Sequence, residues 1–325
     1  MEDLYLGSAG ASALSTDADA AGRWAFRFAP QLGYRSPDQP LFRHSAGDVS
    51  PAAQAARAAD LGFAGVQYPW AVSRPAAERS QLAKVLRDRG LATGCVVWAS
   101  WEVIRQPLWG RTDAAAREKI AAHMIRAVAA AKEIGAATIA VLAAADPARP
   151  MAEERTGLVD NLHRAADLVQ RSGLCIGLEP MIVLPEMMLK TYADGLDVIE
   201  ASAHPAVRLI FDSGHVQSVG EDPVATLQRT LPHVCLVQLA DQPGRVEPGA
   251  GTIDMLSVLR SLGRHGYQGL VELEHDWAED SLEGERRGLA RLRALNQAYL
   301  AQGGGPLMDA FPSFGAGSGQ LARGT

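Results

Sequence analysis

The sequence predicts a closed parallel (β/α)8 barrel over residues 23–301, and three observations carry that expectation. Eight apolar runs of strand length alternate with eight longer helical patterns, and helix-length crossovers between strands imply a parallel sheet that eight units close. Five helical patterns end in a glycine placed to take the left-handed position after a helix, in DLGF, DRGL, EIGA, RSGL and SLGR,. Four strand runs in the second half each end in an oxygen-bearing side chain, as catalytic groups of such barrels do at the C-terminal mouth.

The strands are expected at 24–28, 65–68, 92–98, 138–142, 175–178, 208–211, 235–239 and 269–274. Each is an apolar run of strand length,. The helices follow at 51–61, 76–89, 113–134, 153–172, 191–203, 223–231, 252–264 and 281–300. Asp222-Pro223 marks one start, an N-cap acid before a first-turn proline. Residues 1–22 are rich in Ala, Ser, Gly and Asp and read as a poorly ordered N-terminal arm,. Residues 302–325 form a Gly-rich tail, in which Phe311 and Phe314 offer a docking point for a neighbouring copy in a homo-oligomer.

The chain has 325 residues, 47% of them hydrophobic, enough for one large core. A net charge of -6 without a basic, aromatic-interleaved cluster argues against a nucleic-acid surface,. The N-terminus opens on acids rather than a basic and apolar leader,. The apolar stretch 134–145 is shorter than the ~20 residues that span a bilayer. Cys95, Cys175 and Cys235 are widely spaced in apolar runs and read as buried free thiols,. A cytoplasmic protein without membrane or nucleic-acid partners is expected.

The four strand ends carry the chemistry. Glu179 closes CIGLEP, Asp212 closes VRLIFD, Gln238 lies in VCLVQLAD and Glu274 closes GLVELE. Consecutive strand ends lie side by side around one mouth, so four oxygen ligands would converge. Oxygen-only ligation selects a hard divalent cation, Mn2+ or Mg2+. Glu179 and Glu274 are three strands apart and are expected to face each other as the acid/base pair. His215, three residues past Asp212, is placed to contact substrate. Glu272 shares a face with Glu274 by period two and points inward one layer deeper. Its expected partner is Arg27 in the adjacent first strand.

The stretch 177–276 resembles the sugar isomerase/epimerase superfamily with the xylose-isomerase-like TIM barrel. Within it, VQLADQPGRVEPGAGTID is similar to the signature of hydroxypyruvate isomerases: Gln on strand 7, then ADxPGR, then EPGxGxI. The resemblance implies metal ligation by Glu179, Asp212, Gln238 and Glu274, with the two glutamates as acid and base. It also implies that Arg245 and His215 contact the polar end of a small carbohydrate or hydroxy-acid substrate. The VELEHD ending instead looks like the VEAEQD-type ending of inosose dehydratases. A metal-dependent isomerase is the expected activity. A ketose 3-epimerase, an inosose-dehydratase-like lyase and a non-catalytic sugar-binding barrel are the alternatives. The tryptophan-rich loop WASWEVIRQPLWG leaves two readings open, packing over the barrel rim or a lid for a substrate larger than a triose.

Overall fold

The structure, a computed structural model, describes residues 23–182 and 184–305. The expected arm at 1–22, and the tail from 306 on with Phe311 and Phe314, lie outside the described residues. Eight strands form one all-parallel sheet: β1 (Arg27–Pro30), β2 (Gly65–Val66), β3 (Ala92–Val97), β4 (Ala136–Val141), β5 (Cys175–Leu178), β6 (Val207–Asp212), β7 (Val234–Leu239) and β8 (Leu270–Leu273). The order runs β1-β8-β7-β6-β5-β4-β3-β2. The ends meet through a parallel bridge between Gln31 and Gln67, with the Gln67 amide donating to the Pro30 carbonyl at 2.9 Å. The sheet is therefore a closed barrel.

Ten α-helices are assigned among the described residues: α1 (Pro51–Asp60), α2 (Ala76–Arg89), α3 (Trp101–Ile104), α4 (Ala114–Ile134), α5 (Met151–Arg171), α6 (Tyr192–Ser202), α7 (Ser213–Ser218), α8 (Pro223–Thr230), α9 (Met255–Arg264) and α10 (Leu282–Ala301). None is long and apolar enough to cross a membrane. Seven of the ten starts are capped by side chains, as at Asp113, Asp222 and Ser281, one of them by a reciprocal capping box at Thr191 and Asp194,. Eight follow the expected helices closely. The short α3 and α7 are additions, each set just after a strand end.

Four of the five glycine stops take positive φ, at Gly62, Gly90, Gly135 and Gly173. The fifth does not. Gly263 is helical inside α9, and the left-handed turn falls at Gly266, with φ 63°. Gly263 serves packing instead, since a Cβ there would overlap the Tyr299 hydroxyl of α10.

One irregularity positions the site. Between β6 and β7 the register shifts, so that Leu209 faces Val234 and Ile210 faces Leu236, leaving Cys235 as an extra residue. Beyond this bulge Asp212 pairs with Gln238, and Gln238 with Glu272. Without the extra residue Asp212 would stand opposite Val237, on the other face of its strand.

Candidate active site

Glu179, Gln238, Glu274, His215 and Arg245 line one cavity of about 330 Å³ at the C-terminal mouth of the barrel. Asp212 sits beside it, fully buried, bound to Arg245 through both carboxylate oxygens at 3.2 and 2.6 Å. Asp212 also caps α7, accepting from the His215 amide at 2.8 Å. That turn carries the His215 ring back over the mouth, where Nε2 lies 3.4 Å from Glu179 Oε1. Ligand atoms of Glu179, Asp212 and His215 all fall within 4.8 Å of one another. His215, expected at the substrate, thus also stands among the groups able to hold a cation.

Gln238 and Glu274 complete the constellation. The Gln238 amide nitrogen donates to Glu274 at 2.7 Å and to Glu272 at 2.9 Å. Its carbonyl oxygen is buried and has no hydrogen-bond partner among the described residues. An orphaned buried amide oxygen is a donor a hard cation could use, and Glu179, Asp212 and His215 lie close enough to share one, so the donor set fits the divalent metal that the fold family implies,.

Arg245 ties the carboxylates together. Its guanidinium bridges Asp212 and Glu274, the latter at 2.6 Å, and lies 5.3 Å from the centre of the Tyr34 ring. Burial opposes this charge, but the two carboxylates outweigh burial and raise the guanidinium pKa further,. The loop that delivers it is rigidly built. Asp241 accepts from the amides of Gln242, Gly249 and Ile253, each at 2.9 Å. Glu247 receives the Ala278 amide at 2.7 Å and pairs with Arg291. Arg245 itself holds φ 56°, a left-handed conformation that a non-glycine residue keeps only when its surroundings impose it,.

The charges perturb one another. Burial pushes the Glu274 pKa up to about 7; Arg245 opposes that rise, while Glu179 and Asp212 add to it. Burial works against the charge on Asp212, yet Arg245 and His215 hold it below its ordinary value. Burial likewise opposes a charged His215, but Asp212 and Glu179 prevail and raise its pKa.

Arg27 does not serve Glu272 as expected. Arg27 stands a layer below, in register with Leu270, and donates to the Gln268 carbonyl at 3.2 Å. Glu272 instead reaches across the barrel interior to β3, accepting from the Cys95 amide at 2.8 Å. Gly94 makes the crossing feasible, because any Cβ there would overlap the Glu272 carboxylate. Burial raises the Glu272 pKa to about 8, against the hydrogen bond from Gln238. By accepting from the Gln238 nitrogen, Glu272 fixes the orientation of the amide. Glu272→Gln is expected to let that amide rotate and to weaken Mn2+ binding about 10–100-fold, measured by calorimetric titration; unchanged affinity would assign Glu272 to packing alone.

Three contributors went unread in the sequence. Gln67 donates to Glu274, Tyr34 flanks Arg245, and Asp241 frames the loop. Gln67 had the same signal as Gln238, an amide at the end of an apolar run, in GVQYP.

A family model described as xylose isomerase-like TIM barrel matches residues 55–295. The chain belongs to that family. A mouse protein provisionally named hydroxypyruvate isomerase is 32% identical over 168 residues, covering 49% of this chain and 61% of its own length. A 2-oxo-tetronate isomerase of Haemophilus influenzae is 28% identical, covering 67% of this chain and 84% of the relative. The solved Escherichia coli 3-keto-D-glucoside 4-epimerase superposes with a TM-score of 0.66 at 21% identity, over 83% of this chain and 99% of that one. At that identity the likeness speaks for the fold alone.

Proposed function

We propose that the protein is a metal-dependent isomerase of the hydroxypyruvate isomerase kind, interconverting a small hydroxy-aldehyde and hydroxy-ketone through an enediolate. The observation that carries this reading is a pair of carboxylates, Glu179 and Glu274, reaching one cavity from β5 and β8. Such a reaction moves one proton between adjacent carbons, and a carboxyl with a pKa near 7 is matched to taking and returning it. In the metal-free site burial raises the Glu274 pKa toward that range, to about 7. Glu179 stands against His215, whose ring nitrogen can orient its carboxylate.

Glu179, Asp212, Gln238 and Glu274 would hold the cation, Mn2+ or Mg2+, with His215 beside them. When bound, such an ion supplies electrostatic stabilisation for the negative charge that grows on the substrate's oxygens. Arg245 and His215 would hold the polar end of the substrate, Arg245 offering a planar fork suited to a carboxylate. The names of the mouse and Haemophilus influenzae relatives agree with a hydroxy-acid substrate.

Epimerisation of a ketose is the second reading. It uses the same two carboxylates on opposite sides of one carbon, and the solved D-psicose 3-epimerase has the same fold, with a TM-score of 0.64.

The deciding experiment follows hydroxypyruvate, tetruloses, ketohexoses and inosose by NMR in D2O, with Mn2+ or Mg2+ and with a chelator. Metal-dependent conversion of hydroxypyruvate to its aldehyde isomer is expected. Inversion at a ketose carbon without carbonyl migration would select the epimerase. No exchange on any compound would overturn both.

A further inference from the structure

At the end of the barrel opposite the mouth, two strands begin with sulfur. Cys175 opens β5, and Cys235 is the extra residue at the β7 register shift. β6 stands between these strands, yet the two thiols meet across it, hydrogen-bonded to each other. The Thr138 hydroxyl of β4 lies 3.4 Å from Cys175 Sγ and also reaches Cys235. All three cysteines are free thiols, but Cys95 alone is fully buried, as the sequence led us to expect of all three; Cys175 and Cys235 are half-buried. The pair is therefore open to a small solute.

Charge favours thiolate here. Arg208, on the intervening β6, donates to the Pro232 and Val234 carbonyls at 2.8 and 3.4 Å, which holds its guanidinium beside the sulfurs. The hydrogen bond from Cys235 outweighs burial and brings the Cys175 pKa down to about 7, while the same bond and burial raise that of Cys235. Cys235 thus keeps its proton, shared between Cys175 and the Leu209 carbonyl 3.3 Å away. A disulfide is a poor fit to this layout. Its Cα atoms must come within about 4.4–6.8 Å, and β6 keeps the two backbones more than one strand spacing apart. An ion inserted between the sulfurs needs no such approach. Zinc is a poor fit as well, because it takes four ligands, and among the described residues no His, Asp or Glu is close enough to join the pair.

We propose that Cys175 and Cys235 form a two-sulfur site for a soft monovalent cation, copper(I), at the floor of the barrel. Thiolates select Cu(I) among the first-row ions, and two of them satisfy it in a near-linear arrangement. Binding makes two S–Cu bonds and breaks the S–H bond of Cys235, whose proton passes to solvent; any Cys175 still protonated loses its proton too. No oxidation state changes. The bis-thiolate complex carries one negative charge, which Arg208 offsets. Sulfur at the floor and oxygen at the mouth select different metals, so the two sites should not compete.

The test is a competition for Cu(I). Reduced protein is titrated with Cu(I) under nitrogen against the chromophoric chelator bicinchoninate, with circular dichroism as the folding control. Wild type is expected to withdraw one equivalent from the chelator, and Cys95→Ser should do the same. Cys175→Ser and Cys235→Ser should each lose that equivalent. Failure of wild type to withdraw Cu(I), retention by either floor variant, or loss in Cys95→Ser overturns the site. Displacement of the bound Cu(I) by Mn2+ would assign it to the mouth and also overturns the site. Should a serine variant fail to fold, alkylation of wild type by iodoacetamide decides. Cu(I) is then expected to protect Cys175 and Cys235, and equal labelling with and without Cu(I) overturns the proposal. A wild type that takes no Cu(I) but closes a Cys175–Cys235 disulfide with oxidised glutathione would replace the metal site with a redox pair.

Discussion

Replacing Glu179 or Glu274 with glutamine is expected to lower turnover by ~10²–10⁴-fold, the usual cost of losing a general acid or base. The amide keeps the shape and one oxygen, so the barrel should stay folded. The two variants should nevertheless differ. Glu274 carries contacts from Arg245, Gln238 and Gln67, so its replacement also leaves part of the Arg245 charge unbalanced. Glu179 contacts His215, and its replacement should act more purely on the chemistry. Steady-state kinetics on the identified substrate, with circular dichroism as the folding control, makes the comparison. Turnover within threefold of wild type in either variant would remove that residue from the acid/base pair.

Arg245→Met is expected to destabilise the protein by about 3–5 kcal/mol in chelator, the cost of removing one partner from a buried ion pair. Asp212 is fully buried and Glu274 nearly so, and Arg245 is the cation that touches both. Without it, three acids crowd one mouth. A divalent cation held by the same acids would offset the loss, so Mn2+ should raise the urea midpoint of the variant more than that of wild type. Equal Mn2+ stabilisation of the two proteins would show that Arg245 and the metal act on different carboxylates.

Most of the architecture was legible in the sequence because period and punctuation agree locally. Each strand run is short and apolar, seven of the ten helices described start at a capping side chain, and four glycines sit where a helix must end. The strand-end acids could be found for the same reason: a charge closing an apolar run needs a partner. What escaped was register. Arg27 and Glu272 lie on adjacent strands, and nothing local in either segment tells that they differ by a layer. Nor does any local pattern announce that Gly94 opens a path across the interior, which only the closed barrel creates. Gly263 has the motif of a helix end, but Tyr299 of a distant helix decides its role. Tertiary packing overrides local signal at these places.

The barrel closes at its thinnest point. β2 has two residues, and its link to β1 is a single bridge with a few main-chain bonds, whereas β3 and β4 pair along most of their length. Local opening follows the least-supported segment of a fold, so amide exchange should be fastest among the strands along this seam. Gln67 is the seam residue, and its side chain grips Glu274. Any widening of the seam therefore slackens Glu274, the proposed proton carrier, and would couple the breathing of the scaffold to the geometry of the site.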